Sequence, residues 1–171
     1  MTTATSEAVR EVEVFRSQAG AIDKVLQLNL AGVTQEESLI QPHPGGNCLN
    51  WVAGHLLCIY NDTLPLLGQQ PVMEKGALKR YARGTPPLEG PAEALELRDL
   101  LAGFEEATRR IGAGLATLTP EVLDRPAPHS PTNNPDETVR SLLTVVFFHQ
   151  AYHTGQTGLL RRLAGKEGAI R

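Results

Sequence analysis

Histidines stand at positions 43, 55, 129, 149 and 153, and two of them are four residues apart. On one helix, His149 and His153 emerge from a single face with Cβ atoms about 6 Å apart. That spacing lets two ring nitrogens meet one cation at about 2.0 to 2.1 Å each. Both interrupt an apolar stripe formed by Leu142, Val146, Leu160 and Leu163. His55 interrupts a second stripe, among Val52, Leu56 and Ile59, and is the third candidate ligand. Buried imidazoles need partners, so such rings either hydrogen-bond together in a polar core cluster or share an ion that satisfies all of them. Burial disfavours the charged form, and three neutral rings on inward faces favour the cation. His43 and His129 fall in Pro-rich connections and read as solvated loop side chains.

Three neutral ligands leave a divalent ion its full charge and at least one open position, the arrangement of a catalytic rather than a structural site. Such an ion makes a bound water or thiol a nucleophile at neutral pH. A zincin-type hydrolase also carries a Glu directly after the first histidine; here that position is Gln150, which is no base. Asp62, seven residues after His55 on the same helical face, is the nearest carboxylate able to act as a base or to orient a ligand. Gln156, three residues after His153, reads either as a hydrogen-bonding group beside the ion or as a core amide. Trp51, one turn before His55, suits a pocket wall and suits the core equally. Lys75, Lys79, Arg80 and Arg83 form a local basic cluster, either solvated surface or the rim of an anion site, and Arg83 joins Trp51 and Gln156 as the substrate-binding candidates. Cys58 reads as a buried thiol rather than a ligand. Thiol transfer asks least of this set, because an activated thiol requires no separate protein base.

The elements that must position these groups are helices. Val12, Phe15, Ala19, Ile22 and Leu26 recur at three- and four-residue steps and predict a first helix over 6–30. Thr34 and Glu37 are spaced as a capping box, and Asn47 is suited to cap a second helix over 48–67. A long Pro- and Gly-rich loop over 68–91 leads to a third helix over 92–118. Thr119 and Pro120 start a short helix, a loop over 125–136 follows, and a fourth long helix spans 137–163. No stretch alternates with period two. The expectation is an all-α four-helix bundle with long connections, one domain over 1–171.

Apolar residues make up 41% of 171, enough to bury a core without disulfide staples. Cys48 and Cys58, about 15 Å apart along one helix, cannot pair. A net charge of -3 supplies no positive field for nucleic acid or an anionic membrane. No apolar run approaches the roughly 20 residues that cross a bilayer. The charged amino-terminal stretch lacks an export signal, so cytoplasmic residence with a small-molecule substrate is expected.

The stretches Asn50-Trp51-Val52-Ala53-Gly54-His55-Leu56 and His149-Gln150-Ala151-Tyr152-His153-Thr154-Gly155-Gln156 resemble the helix motifs of the DinB-like or YfiT-like metal-binding bundles, a group distinct from the DNA polymerase sharing the first name. Tyr81-Ala82-Arg83-Gly84, 118–123 and Thr138-Val139 are similar to weaker features of that family, so the resemblance spans most of the chain. It implies up-down-down-up topology, a homodimer, and a divalent ion (Zn, Ni or Mn) held by His55, His149 and His153. Relatives of that kind include bacillithiol S-transferases and mycothiol-dependent isomerases of maleylpyruvate. Position 150 departs from the family, where an acidic residue is frequent. The expected function is a metal-dependent transferase that activates a low-molecular-weight thiol. The alternatives are a metal-dependent hydrolase and a non-catalytic metal-binding bundle.

Overall fold

The structure, a computed structural model, describes residues 2–170, with side chains from Arg10 onward. The export reading therefore rests partly on residues outside the described set. Four long helices dominate: α1 (Thr2–Leu30), α3 (Leu49–Thr63), α4 (Leu97–Leu115) and α6 (Val139–Leu163). Two single-turn helices, α2 (Gln35–Ser38) and α5 (Pro120–Leu123), punctuate the connections. Among the described residues there is no strand, only an isolated bridge between Pro126 and Thr138. No described helix is long and apolar enough to cross a membrane.

α1 and α4 present the stripes their periodicity predicts. On α6 Leu142, Val146 and Leu160 are buried as expected, but Leu163, expected on the same stripe, is 51% exposed because the last turn runs past its packing partners. Phe15, Ala19, Ile22 and Leu26 of α1 are buried, as are Leu100, Phe104, Ala107 and Ile111 of α4. Full burial of one such large apolar side chain contributes about 1.5–3 kcal/mol. α3 differs: it is buried on every side from Leu49 to Leu57. It packs against both α4 and α6, and the loop after it folds back over its remaining face.

Residue pairs fix how the helices run. Phe15 stacks on Phe147, and Asn29 donates to Thr157 Oγ1 at 3.0 Å, so α1 and α6 run the same way. Tyr60 stacks on Phe104 with ring centres 5.0 Å apart, while further along α4 Gly114 lies against Leu67, in the turn that continues α3. α3 and α4 therefore also run together. A methyl group on Gly103 would sit 2.8 Å from Leu57 Cδ2, and one on Gly114 would sit 2.6 Å from Leu67 Cβ. These glycines, which weaken helix propensity locally, let the two helices approach.

The caps follow local chemistry in part. The capping box forms as expected, with the Glu37 N–H donating to Thr34 Oγ1 and the Thr34 N–H donating to Glu37 Oε2 at 2.8 Å. Asn47 does not cap α3. Cys48 holds the cap position without a side-chain bond, and Asn47 Oδ1 is buried without a partner. The second helix gives way at Thr63 to a 3-10 turn over Leu64–Leu67. α4 begins at Leu97 rather than at 92, because Gln35 Oε1 accepts from the Leu97 N–H at 2.7 Å and so ends the orphaned first turn there. A second capping box, Thr138 with Ser141, opens α6.

One apolar surface is left outside. Phe148, Tyr152 and Leu159 are 71%, 59% and 60% exposed and fall on one outward stripe of α6.

Candidate metal centre

His149 and His153 sit one turn apart on α6, and α3 brings His55 up to them across the helix interface. The ring centres lie 5.0 Å (His55 to His149), 5.0 Å (His55 to His153) and 4.4 Å (His149 to His153) apart. One nitrogen from each ring falls within 4.8 Å of the others. His55 Nε2 and His149 Nε2 are 3.1 Å apart. Two nitrogens held by one ion at about 2.0 to 2.1 Å stand about 2.9–3.4 Å from each other, so this pair already has ligand spacing.

The outer ring nitrogens decide which inner ones carry lone pairs. His55 Nδ1 lies 2.8 Å from the carbonyl oxygen of Tyr81, which only accepts, so Nδ1 carries the hydrogen and donates it. His55 Nε2 is then a bare lone pair. His153 Nδ1 donates in the same way to Gln156 Oε1 at 2.7 Å, leaving its own Nε2 bare. An acceptor behind each ring, fixing its tautomer and orientation, is how metal-ligating histidines are held. His149 Nδ1 is buried and has no partner. The rings cannot satisfy one another: one hydrogen on His149 Nε2 serves a single facing lone pair, whereas a cation satisfies three. This donor set fits a divalent ion.

Electrostatics agree. Burial, reinforced by His153 and His55, pushes His149 down to about 4. Burial also lowers His55, which is 3% exposed. Both rings are therefore neutral at physiological pH, the form that ligates.

The α3 motif is a clamp for the loop that follows it. Gly54 leaves room for the Tyr81 ring, which a methyl group there would strike. Tyr81 donates its hydroxyl hydrogen to Asn50 Oδ1 at 3.0 Å and accepts from the Leu95 N–H at 2.6 Å. Asn50 Nδ2 donates to the Leu95 carbonyl at 2.9 Å. Trp51 stacks on His55, ring centres 4.8 Å apart, and donates from Nε1 to Thr85 Oγ1 at 3.1 Å. Side chains one turn apart on α3 thus hold residues 81–95, and the carbonyl so held orients His55.

A cavity of about 540 Å³ opens beside His55 and His149, and Asp62 and Arg83 both line it. Among the described residues Asp62 is its only carboxylate, exposed and 3.7 Å from Lys75 Nζ. Lys75 and Arg83 reach the cavity while the rest of the basic cluster does not. Arg80 is bound instead to Glu93 and to the Pro86 and Pro87 carbonyls. Gln156 touches the ring of His153 and Trp51 that of His55, and neither lines the cavity. Gln150 turns into the core and donates to the Leu56 carbonyl at 3.0 Å. Cys58 is a thiol pushed up to about 11, chiefly by burial, and is a poor nucleophile at neutral pH. His43 is an exposed loop residue. His129 is exposed too, but it lies on the cavity wall, which no local pattern announces. Tyr81 as the partner of His55 was equally hidden, since a backbone carbonyl has no signature in residue type.

Residues 20–157 match the family model described as the DinB superfamily. No curated protein matches the chain. A crystal structure of a conserved protein from Enterococcus faecalis is similar in fold, with a TM-score of 0.70 over 90% of this chain and 97% of that one at 19% identity.

Proposed function

Because the chain belongs to the DinB superfamily, we propose that it is a divalent-metal-dependent enzyme that transfers a group to a low-molecular-weight thiol. The observation that carries the reading is the pair of outer hydrogen bonds, His55 Nδ1 to the Tyr81 carbonyl and His153 Nδ1 to Gln156 Oε1, which aim two bare nitrogens at the space facing His149. His55, His149 and His153 would hold the ion. Zn, Ni or Mn held by neutral nitrogens supplies Lewis acidity that makes a thiol nucleophilic at neutral pH.

The chain's own residues do the rest. Trp51 backs the His55 ring and keeps water from its far side. Gln156 holds the proton on His153 Nδ1. Arg83 adds positive charge near the opening and favours an anionic substrate. Asp62, also on the cavity wall, orients a ligand. Among the described residues no carboxylate joins the three-histidine group, which supports a reaction that needs no protein base over hydrolysis. The expected partner is a second copy of the chain, and the exposed apolar stripe on α6 supports an interface there.

Elemental analysis of untagged protein incubated with Zn, Ni and Mn salts, beside His153→Ala, tests the premise. The wild type should hold close to one ion per chain and the variant far less. Wild-type content under roughly 0.2 per chain would end the proposal. Loaded protein should then consume bacillithiol, mycothiol or glutathione with an electrophile. Consumption of none of them removes the transferase reading.

A further inference from the structure

The cavity beside the histidines is far larger than a water or a thiol group requires, and its walls are not uniform. Ile59 and Leu66 line it from the α3 side, and Leu142, Val145 and Val146 from α6. Ile59 lies one turn beyond His55, and Leu142 lies two turns before His149. The apolar floor therefore starts at the histidines and extends about 10 Å along the helix pair. Its volume, about 540 Å³, is that of a small-molecule site.

The cavity wall also carries charge. Arg83 lines the cavity and lies close enough for both His55 and His149 to feel its charge. Among the described residues Arg83 has no carboxylate or hydrogen-bond partner. Lys75, the other cationic side chain of the wall, already faces Asp62. A bare guanidinium beside an apolar trough matches a ligand with both characters, and it disfavours a cation.

We propose that the cavity binds an organic anion with an extended apolar body. The carboxylate or phosphate meets Arg83 near the histidines, and the body lies on the floor formed by Ile59, Leu142 and Val146. This deepens the metal-dependent reading, on which it rests for the direction in which the ligand presents its reacting end.

Binding is read by isothermal titration calorimetry, which needs no reporter group in the cavity wall. The full chain, with and without Zn, is titrated with n-octanoate, n-octyl phosphate, n-octylamine, n-octanol and acetate. One of the two long anions should bind at least about tenfold more tightly than octylamine and acetate, and which of the two does so tells carboxylate from phosphate. Arg83→Gln should bring that anion to the level of octanol. Val145→Glu should weaken every eight-carbon probe, and both variants should keep the wild-type metal content. Equal binding of octylamine, equal binding of acetate, or an unchanged affinity in Arg83→Gln would each overturn the proposal. A chain that takes no metal but still binds a long anion through Arg83 sinks only the metal reading. A chain that takes metal and shows no preference among the probes sinks only this one.

Discussion

The carbonyl oxygen of Tyr81 accepts a hydrogen bond from His55 Nδ1 across 2.8 Å, although 26 residues separate the two in the chain. A bond to a carbonyl leaves that imidazole one tautomer, and that tautomer faces its lone pair toward His149. The loop after α3 is thus part of the candidate metal centre without supplying a ligand.

Substituting Gly54 tests that dependence. Gly54→Ala drives a methyl group into the Tyr81 ring, and overpacking of this kind costs about 1–3 kcal/mol. Chemical denaturation should show that loss, and a zinc titration should show weakened binding with all three histidines intact. Gly155 has open space around it, so Gly155→Ala serves as the control and should leave both measurements unchanged or gain slightly in stability.

Gln156→Leu removes the acceptor behind His153 while sparing the ligand. Losing such a support lowers metal affinity by about 10–100-fold. Gln156→Glu restores an acceptor and should recover most of it. If Gln156→Leu binds zinc as the wild type does, Gln156 has no part in holding the ring.

The lowered histidines set a pH dependence in the metal-free protein. In the unfolded chain the imidazole of residue 149 takes up a proton near pH 6.5, and in the fold only near 4. Between those values the unfolded state binds more protons, so stability falls as pH drops from about 6.5 toward 4 and levels off below. Thermal melts across that range should show the decline, and His149→Gln should flatten it. The same slope in both proteins would contradict the assignment.

Asp62→Asn separates transfer from hydrolysis. A reaction that needs no protein base should lose less than about tenfold in kcat, whereas removal of a general base costs about 10²–10⁴. The larger loss, measured with thiol and electrophile at saturation, would favour the hydrolase.

Phe148 and Leu159 lie on the exposed stripe of α6, and a second copy covering it would remove them from water. Phe148→Glu with Leu159→Glu should convert a dimer to a monomer in light scattering. A wild type that is already monomeric ends that expectation.

Much of this could be read along the chain, because the forces concerned act over one or two turns. Steps of three and four residues marked the buried stripes of α1, α4 and α6. His149 and His153 advertised their shared face, Gln156 its reach to His153, and Thr34 with Glu37 their capping box. Those contacts depend on helical geometry alone.

Tertiary structure decided what depends on distant partners. Packing of α3 against α6 set His55 within 3.1 Å of His149, and Gln35 chose where α4 begins. The course of residues 75–95 and 125–136 delivered Arg83 and His129 to the cavity and the Tyr81 carbonyl to His55. A loop's path follows from which buried groups it must satisfy and which gaps it fills. Those become definite only once the helices have closed on one another.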